Sequence, residues 1–212
     1  MLLLAFETSA KAAGAALFDE HKLLAECYQN TGMTHSQTLL VMAEDLLKQI
    51  GKTAADVTAV AVAAGPGSFT GVRIGVAAAK GFAWAKELPC YGVSTLEAMA
   101  ENLGIWQGIV CPVMDARRKQ VYNARFLAHN GTLTRLTEDR AIGVEELLEE
   151  LNGAEQPVTL VGDGARLCKA AFDAAGFLTL LALTIVLRSE VCLLLAGIFL
   201  GRPWRLLNSR PL

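Results

Sequence analysis

The sequence lacks any paired arrangement of cysteine or histidine. Its five cysteines lie at positions 27, 90, 111, 168 and 192, and its three histidines at positions 21, 35 and 129. There is no Cys-x-x-Cys and no His/Cys cluster with metal-ligand spacing. We therefore predict reduced thiols, no disulfide framework and no metal site formed by the chain itself.

An excess of positive charge is also missing. Lys and Arg number 19 against 21 Asp and Glu, which gives a formal net charge of −2 and a pI of about 5.9. This balance excludes a free-standing cationic nucleic-acid binder, although a larger complex could still contact RNA through its partners. The opening residues, MLLLAFETS, form too short an apolar run, without a basic start, for a signal peptide. We expect a cytoplasmic protein.

A long apolar stretch covers residues 177–200 and is interrupted by Arg188, Ser189 and Glu190. Its length suits a membrane span, but each charge at the centre of a bilayer costs about 2.5–3.5 kcal/mol. We expect two buried core segments here. The alternative, a tail that inserts in a membrane, predicts a protein that needs detergent.

The most distinctive segment is residues 64–80, AGPGSFTGVRIGVAAAK. A predicted strand leads through Gly65-Pro66-Gly67-Ser68 into a helix in which small residues recur at helical spacing, at Gly71, Gly75, Ala78 and Ala79. A glycine costs a helix about 1 kcal/mol relative to alanine. We therefore predict that something packs or binds very close to this face of the helix.

The order of the predicted elements repeats along the chain. The first half carries strands at 2–6, 13–18 and 23–28, a helix that begins after Thr34 and ends at Gly51, a strand at 57–63, the small-residue helix, a strand at 90–93 and a helix to about Leu103. The second half carries strands at 109–114, 121–127 and 133–137, a helix at 145–151, a strand at 158–161 and a helix at 165–175. Thr34 with Gln37 and Ser94 with Glu97 predict capping boxes, and Asn130-Gly131 predicts a hairpin turn.

Two copies of the order β-β-β-α-β-α predict an α/β fold of two ribonuclease-H-like halves, 1–104 and 105–212, divided near Gly104. This is the actin-like (ASKHA) architecture of certain kinases and chaperone ATPases. The likeness is an analogy at the level of the fold and carries no function.

Two glycine loops precede helices and could hold an anion on backbone N–H groups. Gly65, Gly67 and Ser68 form the first loop, and Gly162-Asp163-Gly164 forms the second. The alternative is that these glycines only turn the chain between a strand and a helix. For the first loop both interpretations stay open, and for the second we favour the turn.

Catalytic arrangements are hard to find. The first hairpin, Ser9-Ala10-Lys11-Ala12-Ala13-Gly14, lacks the acid with which an actin-like phosphotransferase manages magnesium or water, and Glu7 is interpreted as a strand-end residue. The sequence supports no Ser-His-Asp or Cys-His arrangement, which argues against a protease. Residues 114–119, Met-Asp-Ala-Arg-Arg-Lys, either contact a phosphate or an acidic partner, or form a solvated loop.

Five segments together resemble the bacterial TsaB (YeaZ) family: Glu7-Thr8-Ser9, Thr34-His35-Ser36-Gln37, residues 64–81 with GPGSFTGVRIG, Gly92-Val93-Ser94-Thr95-Leu96-Glu97, and Met114-Asp115-Ala116-Arg117. Their order and spacing agree from residue 1 to about 176. The resemblance implies a non-catalytic subunit of the complex that makes threonylcarbamoyladenosine in tRNA, beside the anticodon. The implied partners are a TsaD-type catalytic subunit, a TsaE-type ATPase and a second copy of the chain, while TsaC makes the threonylcarbamoyl-adenylate donor and tRNA is met only through the complex.

The resemblance also implies which groups are absent. Catalytic relatives carry a metal-binding His-x-x-x-His where this chain has Thr95 and Met99, and an acidic pair where it has Ala10 and Lys11. Neither Thr nor Met replaces an imidazole on iron or zinc. No cofactor of the chain's own is implied, and ATP or ADP is expected only at the junction with a partner.

The helix after Thr34 has an apolar stripe, and the small-residue helix offers a bare face; such a pair can bury an intramolecular core or continue into a matching pair of a partner. Composition alone favours the core. The resemblance places a dimer surface on these two helices, at Ser36, Leu39, Leu40, Ala43, Leu47, Val72, Gly75, Val76 and Ala79.

The family pattern ends after Gly176. Relatives continue with a polar connection and an Ala-rich helix, whereas residues 178–187 are nearly all aliphatic here, and 189–200 could still be the helix. The alternative function is an independent actin-like small-molecule kinase. It predicts that the isolated chain hydrolyses or transfers a nucleotide phosphate.

Overall fold

A computed structural model of the chain describes residues 1–103, 105–177 and 180–182. These residues divide into two units, one over Met1–Thr95 and one that begins at Leu96. Each unit contains an open sheet with helices, so the predicted α/β fold is confirmed. Gly104 lies outside the described residues, and the division predicted there stays a prediction.

The first unit contains a five-stranded mixed sheet. Its strands are β1 (Leu3–Glu7), β2 (Ala13–Phe18), β3 (Leu23–Gln29), β4 (Ala59–Gly65) and β5 (Cys90–Ser94), in the spatial order β3-β2-β1-β4-β5. The first three strands are antiparallel neighbours, as the short polar connections between them predict, whereas β4 and β5 run parallel to β1. The sheet therefore has β3 at one edge and β5 at the other.

Two helices, α1 (His35–Gln49) and α2 (Phe69–Trp84), pack on one face of this sheet. A 3-10 turn, Ala54–Asp56, lies between them in the chain. The predicted end of α1 is confirmed, because Gly51 follows it with φ +67°. The predicted capping box is wrong: the Thr34 side chain makes no capping hydrogen bond, and the Gln37 N–H donates to the Thr34 carbonyl at 2.9 Å.

The second unit is built on a longer sheet. After α3 (Thr95–Glu101) come β6 (Gly108–Arg117), β7 (Gln120–Asn123), β8 (Phe126–His129), β9 (Thr132–Arg135), β10 (Arg140–Gly143), α4 (Val144–Leu151), β11 (Val158–Val161), α5 (Ala165–Ala174) and β12 (Leu180–Ala182). The spatial order is β10-β7-β6-β11-β12, and β8 pairs with both β6 and β9. The predicted hairpin turn at Asn130-Gly131 is confirmed between β8 and β9.

The strand predicted over 121–127 is two strands. Both keep one antiparallel register with β6, since Val113 lies opposite Asn123 and Val110 lies opposite Phe126. Pro112 lies between these pairs and has no N–H to donate, so the backbone hydrogen bonds between the two strands are interrupted there. The Asn123 side-chain amide donates instead to the carbonyls of Pro112 and Ala124, at 3.1 and 3.0 Å. β10 has only four residues and was not predicted from the sequence.

Two parts of the apolar stretch lie in the described structure: Phe177, whose ring packs edge-on against Phe172, and β12, where Leu180 pairs with Thr159 and Ala182 with Val161 of β11. The other predictions for residues 178–212 lie outside the described residues, as does Cys192. Within the part of the chain that the structure describes, no helix has the length and hydropathy to cross a bilayer. The other four cysteines are free.

The small-residue face of α2 lies against the end of β1. The Thr8 hydroxyl donates to the Gly71 carbonyl at 2.8 Å, and a Cβ atom at Gly71 or Gly75 would overlap the Thr8 carbonyl or hydroxyl oxygen. The predicted close approach is therefore confirmed, and its partner is the chain's own first strand. A Cβ at Gly81, on the exposed side of the same helix, meets nothing within 4 Å.

This packing predicts opposite effects for the same substitution at two positions of α2. Gly71→Ala should lower the free energy of unfolding by about 1–3 kcal/mol, because backbone must move to admit the methyl group. Gly81→Ala should raise it by up to about 1 kcal/mol, because alanine favours a helix and has space there. Urea unfolding of both variants measures the difference, and equal effects at the two positions would contradict the packing described.

Candidate functional site

The carboxyl end of β1 meets the loop that leads into α2. The Ser68 N–H donates to the Ser9 carbonyl at 2.7 Å, and a Cβ at Gly67 would come within 2.6 Å of that same oxygen. The Ser68 side chain caps α2 by accepting from the Gly71 N–H at 3.3 Å. Two of the N–H groups at this helix start therefore have partners within the chain.

These contacts bear on the predicted anion loops. Gly65, Gly67 and Ser68 do precede a helix N-terminus, but Gly67 is needed for the approach to Ser9 whether or not an anion binds. In the second loop, a Cβ at Gly162 would overlap Met99 and the Val113 carbonyl, and the Asp163 carboxylate accepts from the Asp115 N–H at 3.2 Å. Packing explains the second loop. Anion binding at the first loop stays a prediction.

Glu7 is a buried carboxyl group at the end of β1. It is 3% exposed, its Oε1 accepts from the Ser9 N–H, and its Oε2 has no hydrogen-bond partner among the described residues. Burial raises the pKa of Glu7, although its hydrogen bonds with Ser9 act in the opposite direction. The carboxyl group is thus buried and accepts a hydrogen bond from its own hairpin.

The positions expected for a metal carry no ligand set. Thr95 and Met99 are both buried, and His35 lies near the Ala10 carbonyl, with its Nε2 3.0 Å away. His129 pairs instead with the Gln107 side chain at 3.0 Å. Over the described residues, no three His, Cys, Asp or Glu side chains are close enough to hold a metal ion.

The nine residues predicted for a dimer surface fall into two groups. Leu39, Ala43, Leu47, Gly75 and Ala79 are buried within the first unit, so their burial needs no second chain. Ser36 and Leu40 are exposed and Val72 and Val76 are half-buried, which leaves these four accessible to a partner. An interface role for them stays a prediction.

Two large exposed residues escaped the sequence analysis. Phe69 is 70% exposed at the start of α2 and Trp84 is 86% exposed at its end, while Leu40 on α1 is 51% exposed. The Arg73 guanidinium lies 3.8 Å from the centre of the Phe69 ring. Both aromatic residues lie outside the glycine and alanine stripe of α2. That position on the helix was the signal from which their exposure could have been predicted.

The flank of α1 that carries Leu40 can be assigned from its neighbours. Val41 and Asp45, on the other flank, line a groove with Cys27 and Gln29 of the edge strand β3. Leu40 and Ser36 are not among the residues that line this groove. Leu40 is about 100° around the helix from Val41 and about 60° from Gln37, which also lines the groove, so Leu40 lies outside the groove, past its Gln37 edge.

Known proteins resemble this chain over most of its length. The family model described as TsaD, tRNA N6-adenosine threonylcarbamoyltransferase, matches residues 29–196. The tRNA threonylcarbamoyladenosine biosynthesis protein TsaB of Bacillus subtilis is 36% identical over 173 residues, which cover 82% of this chain and 76% of the relative. The TsaB protein of Escherichia coli is 36% identical over 152 residues, covering 71% of this chain and 65% of the relative.

Solved structures agree with this likeness. YeaZ from Pseudomonas aeruginosa superimposes with a TM-score of 0.77 at 28% identity, covering 93% of this chain and 91% of that one. The ethanolamine utilization protein EutJ from Carboxydothermus hydrogenoformans has a TM-score of 0.54 at 14% identity, over 94% and 90% of the two chains. The second likeness bears on the fold alone and agrees with the actin-like architecture.

The environment of Glu7 predicts a pH-dependent gain for Glu7→Gln. Since the folded pKa is raised above 4.5, the unfolded state binds fewer protons above that pH, and the stability of the natural chain falls as pH rises. Gln keeps an acceptor for the Ser9 N–H and cannot ionise, so the variant should unfold at a higher urea concentration near neutral pH. The gain should shrink as pH falls toward about 4.5.

Glu26→Gln is the matched control for the change in net charge, because Glu26 is an exposed carboxyl on β3. A Glu7→Gln variant that is less stable than the natural chain near neutral pH, with a deficit that shrinks as pH falls below about 4.5, would show that the ionised carboxylate holds the hairpin, against the interpretation given.

Proposed function

Because the chain belongs to the TsaB (YeaZ) family, we propose that it is a non-catalytic dimerisation or scaffold subunit of a tRNA-modifying complex. Its family takes part in tRNA threonylcarbamoyladenosine biosynthesis. In this proposal the complex transfers a threonylcarbamoyl group to the adenosine beside the anticodon, in the cytoplasm, and the reaction is carried out by a TsaD-type partner.

The observation that carries the proposal is the exposed apolar surface of α1 and α2, formed by Leu40, Phe69 and Trp84. Large apolar and aromatic side chains of this kind anchor protein interfaces, where a few of them supply most of the binding energy. We define the α1–α2 surface as these three residues with Ser36, Val72 and Val76. Its proposed occupants are the TsaD-type subunit or a second copy of the chain, and a TsaE-type ATPase joins the same complex.

The chemistry around β1 supports a non-catalytic role. The hairpin 9–14 contains no carboxylate, and the one acid beside it, Glu7, is buried and bonded to the Ser9 N–H. A magnesium-bound nucleotide needs accessible oxygen ligands. We therefore propose that ATP or ADP binds only at a junction with a partner, and that the chain has no cofactor of its own.

An independent actin-like kinase is the competing hypothesis. It requires that the isolated chain, free of partners, hydrolyse or transfer a nucleotide phosphate. No contact among the described residues favours it over the scaffold, and a steady-state hydrolysis assay on the purified chain decides between them.

A Leu40→Glu variant should lose partner binding while keeping its fold. A charge placed at an apolar anchor must be desolvated on docking, so we expect affinity for the TsaD-type subunit, or for a second copy, to fall by about tenfold or more. Native mass spectrometry and calorimetric titration measure this directly. Gly75→Arg would not test this surface, because a side chain at Gly75 overlaps Thr8 within the chain itself.

Leu136→Glu is the matched control. Leu136 is 47% exposed against 51% for Leu40, and it lies in the second unit, off the proposed surface. Loss of binding in both variants would indicate a general effect of charge. Unchanged binding in Leu40→Glu, with the natural chain still associating, would remove this surface from the proposal.

A further inference from the structure

The turn between β6 and β7 holds three consecutive basic residues in the left-handed backbone region. Arg117, Arg118 and Lys119 have φ values of +67°, +52° and +59°. Arg117 pairs directly with Gln120, so Arg118 and Lys119 are the two central residues of a tight hairpin turn. A turn with positive φ at both central positions strongly favours Asn-Gly, because other side chains crowd the backbone there.

The same unit contains the favoured version of this turn. Between β8 and β9, the pair His129 and Thr132 flanks Asn130 and Gly131, whose φ values are +50° and +74°. The two hairpins therefore share a left-handed backbone at their two central positions with opposite sequence choices, and the first differs only in that Arg117, beside a register shift between Asp115 and Arg117, is left-handed as well. A strained backbone that a different sequence would relieve indicates that the side chains of the turn serve a function.

The three basic side chains are exposed and have no side-chain partner among the described residues. None of them forms an ion pair or a side-chain hydrogen bond with any residue that the structure describes. The neighbouring carboxylates are engaged by backbone instead: Asp115 accepts from the Arg117 N–H at 2.7 Å, and Asp163 accepts from the Asp115 N–H. Glu145 lines a groove together with Lys119, without pairing with it. Three positive charges thus remain at one tip.

The base of the hairpin is firmly held. β7 lies between β6 and β10, with Gln120 opposite Gly143, and the Lys119 carbonyl accepts from the Val144 N–H at 3.1 Å. The turn therefore connects two inner strands of a sheet, and its backbone is held in place. A held backbone loses less entropy on meeting a ligand than the backbone of a mobile loop.

We propose that this basic turn, defined as Arg117, Arg118, Lys119 and Gln120, contacts the phosphate backbone of RNA. Arg, Lys and Gln side chains are those that bind phosphate oxygens, and the contact needs no apolar anchor. An acidic protein would be the alternative, but protein interfaces depend on apolar anchors, and the four residues of the basic turn include none. The inference rests on the proposed function, which brings tRNA to the complex.

The test replaces the turn by its relaxed counterpart. Arg118→Asn with Lys119→Gly copies the Asn130-Gly131 turn, and Lys22→Gln with Lys169→Gln removes two charges elsewhere as the matched control. Binding of an unmodified tRNA transcript is measured by anisotropy between about 50 and 200 mM salt, both for the full-length chain alone and for the chain assembled with the TsaD-type subunit. The turn variant should bind about tenfold more weakly at the lower salt and lower the salt slope by about two, while the control changes neither.

Thermal unfolding separates a role in binding from a role in the fold. The turn variant should unfold at a higher temperature than the natural chain, because it removes the strain; a lower temperature would mean that the basic residues serve the fold, and would overturn the inference. So would unchanged tRNA binding and salt slope in the turn variant, or no measurable tRNA binding by the natural chain either alone or in the assembled complex.

Assembly with the TsaD-type subunit is measured in parallel by native mass spectrometry. If the turn variant keeps its tRNA affinity but fails to assemble, the basic turn is a protein contact and the RNA inference is overturned. If the natural chain fails to assemble with any partner, the proposed function fails, while the tRNA measurement on the chain alone still decides the inference.

Discussion

The contact between α2 and the end of β1 is the constraint on which the first unit depends. The Thr8 hydroxyl bonds to the Gly71 carbonyl, and the absence of side chains at Gly71 and Gly75 lets the helix come this close. Once the helix lies at this depth, Ala79 and Ala83 face the core, and the aromatic residues at its two ends face outward. The same approach brings Ser68 onto Ser9, beside the buried Glu7. One close contact thus sets which residues remain for a partner.

Gly71 and Gly75 show how far the sequence could lead. Two glycines inside a helix predict a neighbour at short distance, and that prediction is confirmed. They do not say whether the neighbour is the chain's own backbone or another protein, because a bare face suits either one equally. Only the position of Thr8 in three dimensions decides it, and Thr8 lies more than sixty residues away along the chain.

The two hairpins of the second unit show which turns local sequence preference can predict and which it cannot. Asn130-Gly131 was predictable because its residues match the backbone that the turn requires. Arg118-Lys119 adopts the same backbone against its own preference, so no local signal could indicate the turn. The break between β7 and β8 could be predicted only in part. Pro112 is in the sequence, but its position opposite Ala124 depends on the register between β6 and the two strands that follow it. Sequence predicts elements that follow local preference, and departures from it mark the places to examine for function.

The α1–α2 surface and the basic turn differ in chemistry, and the partners proposed for them differ accordingly. The α1–α2 surface is apolar and aromatic, and its binding energy would come from excluding water, so it suits another folded protein. The basic turn has no apolar atom cluster to bury, and its energy would come from releasing the ions condensed on a polyanion. A formal net charge of −2 hides this difference, because an average over 212 residues says nothing about three cations at one tip. In the proposed function, these two kinds of contact are what the chain contributes to its complex.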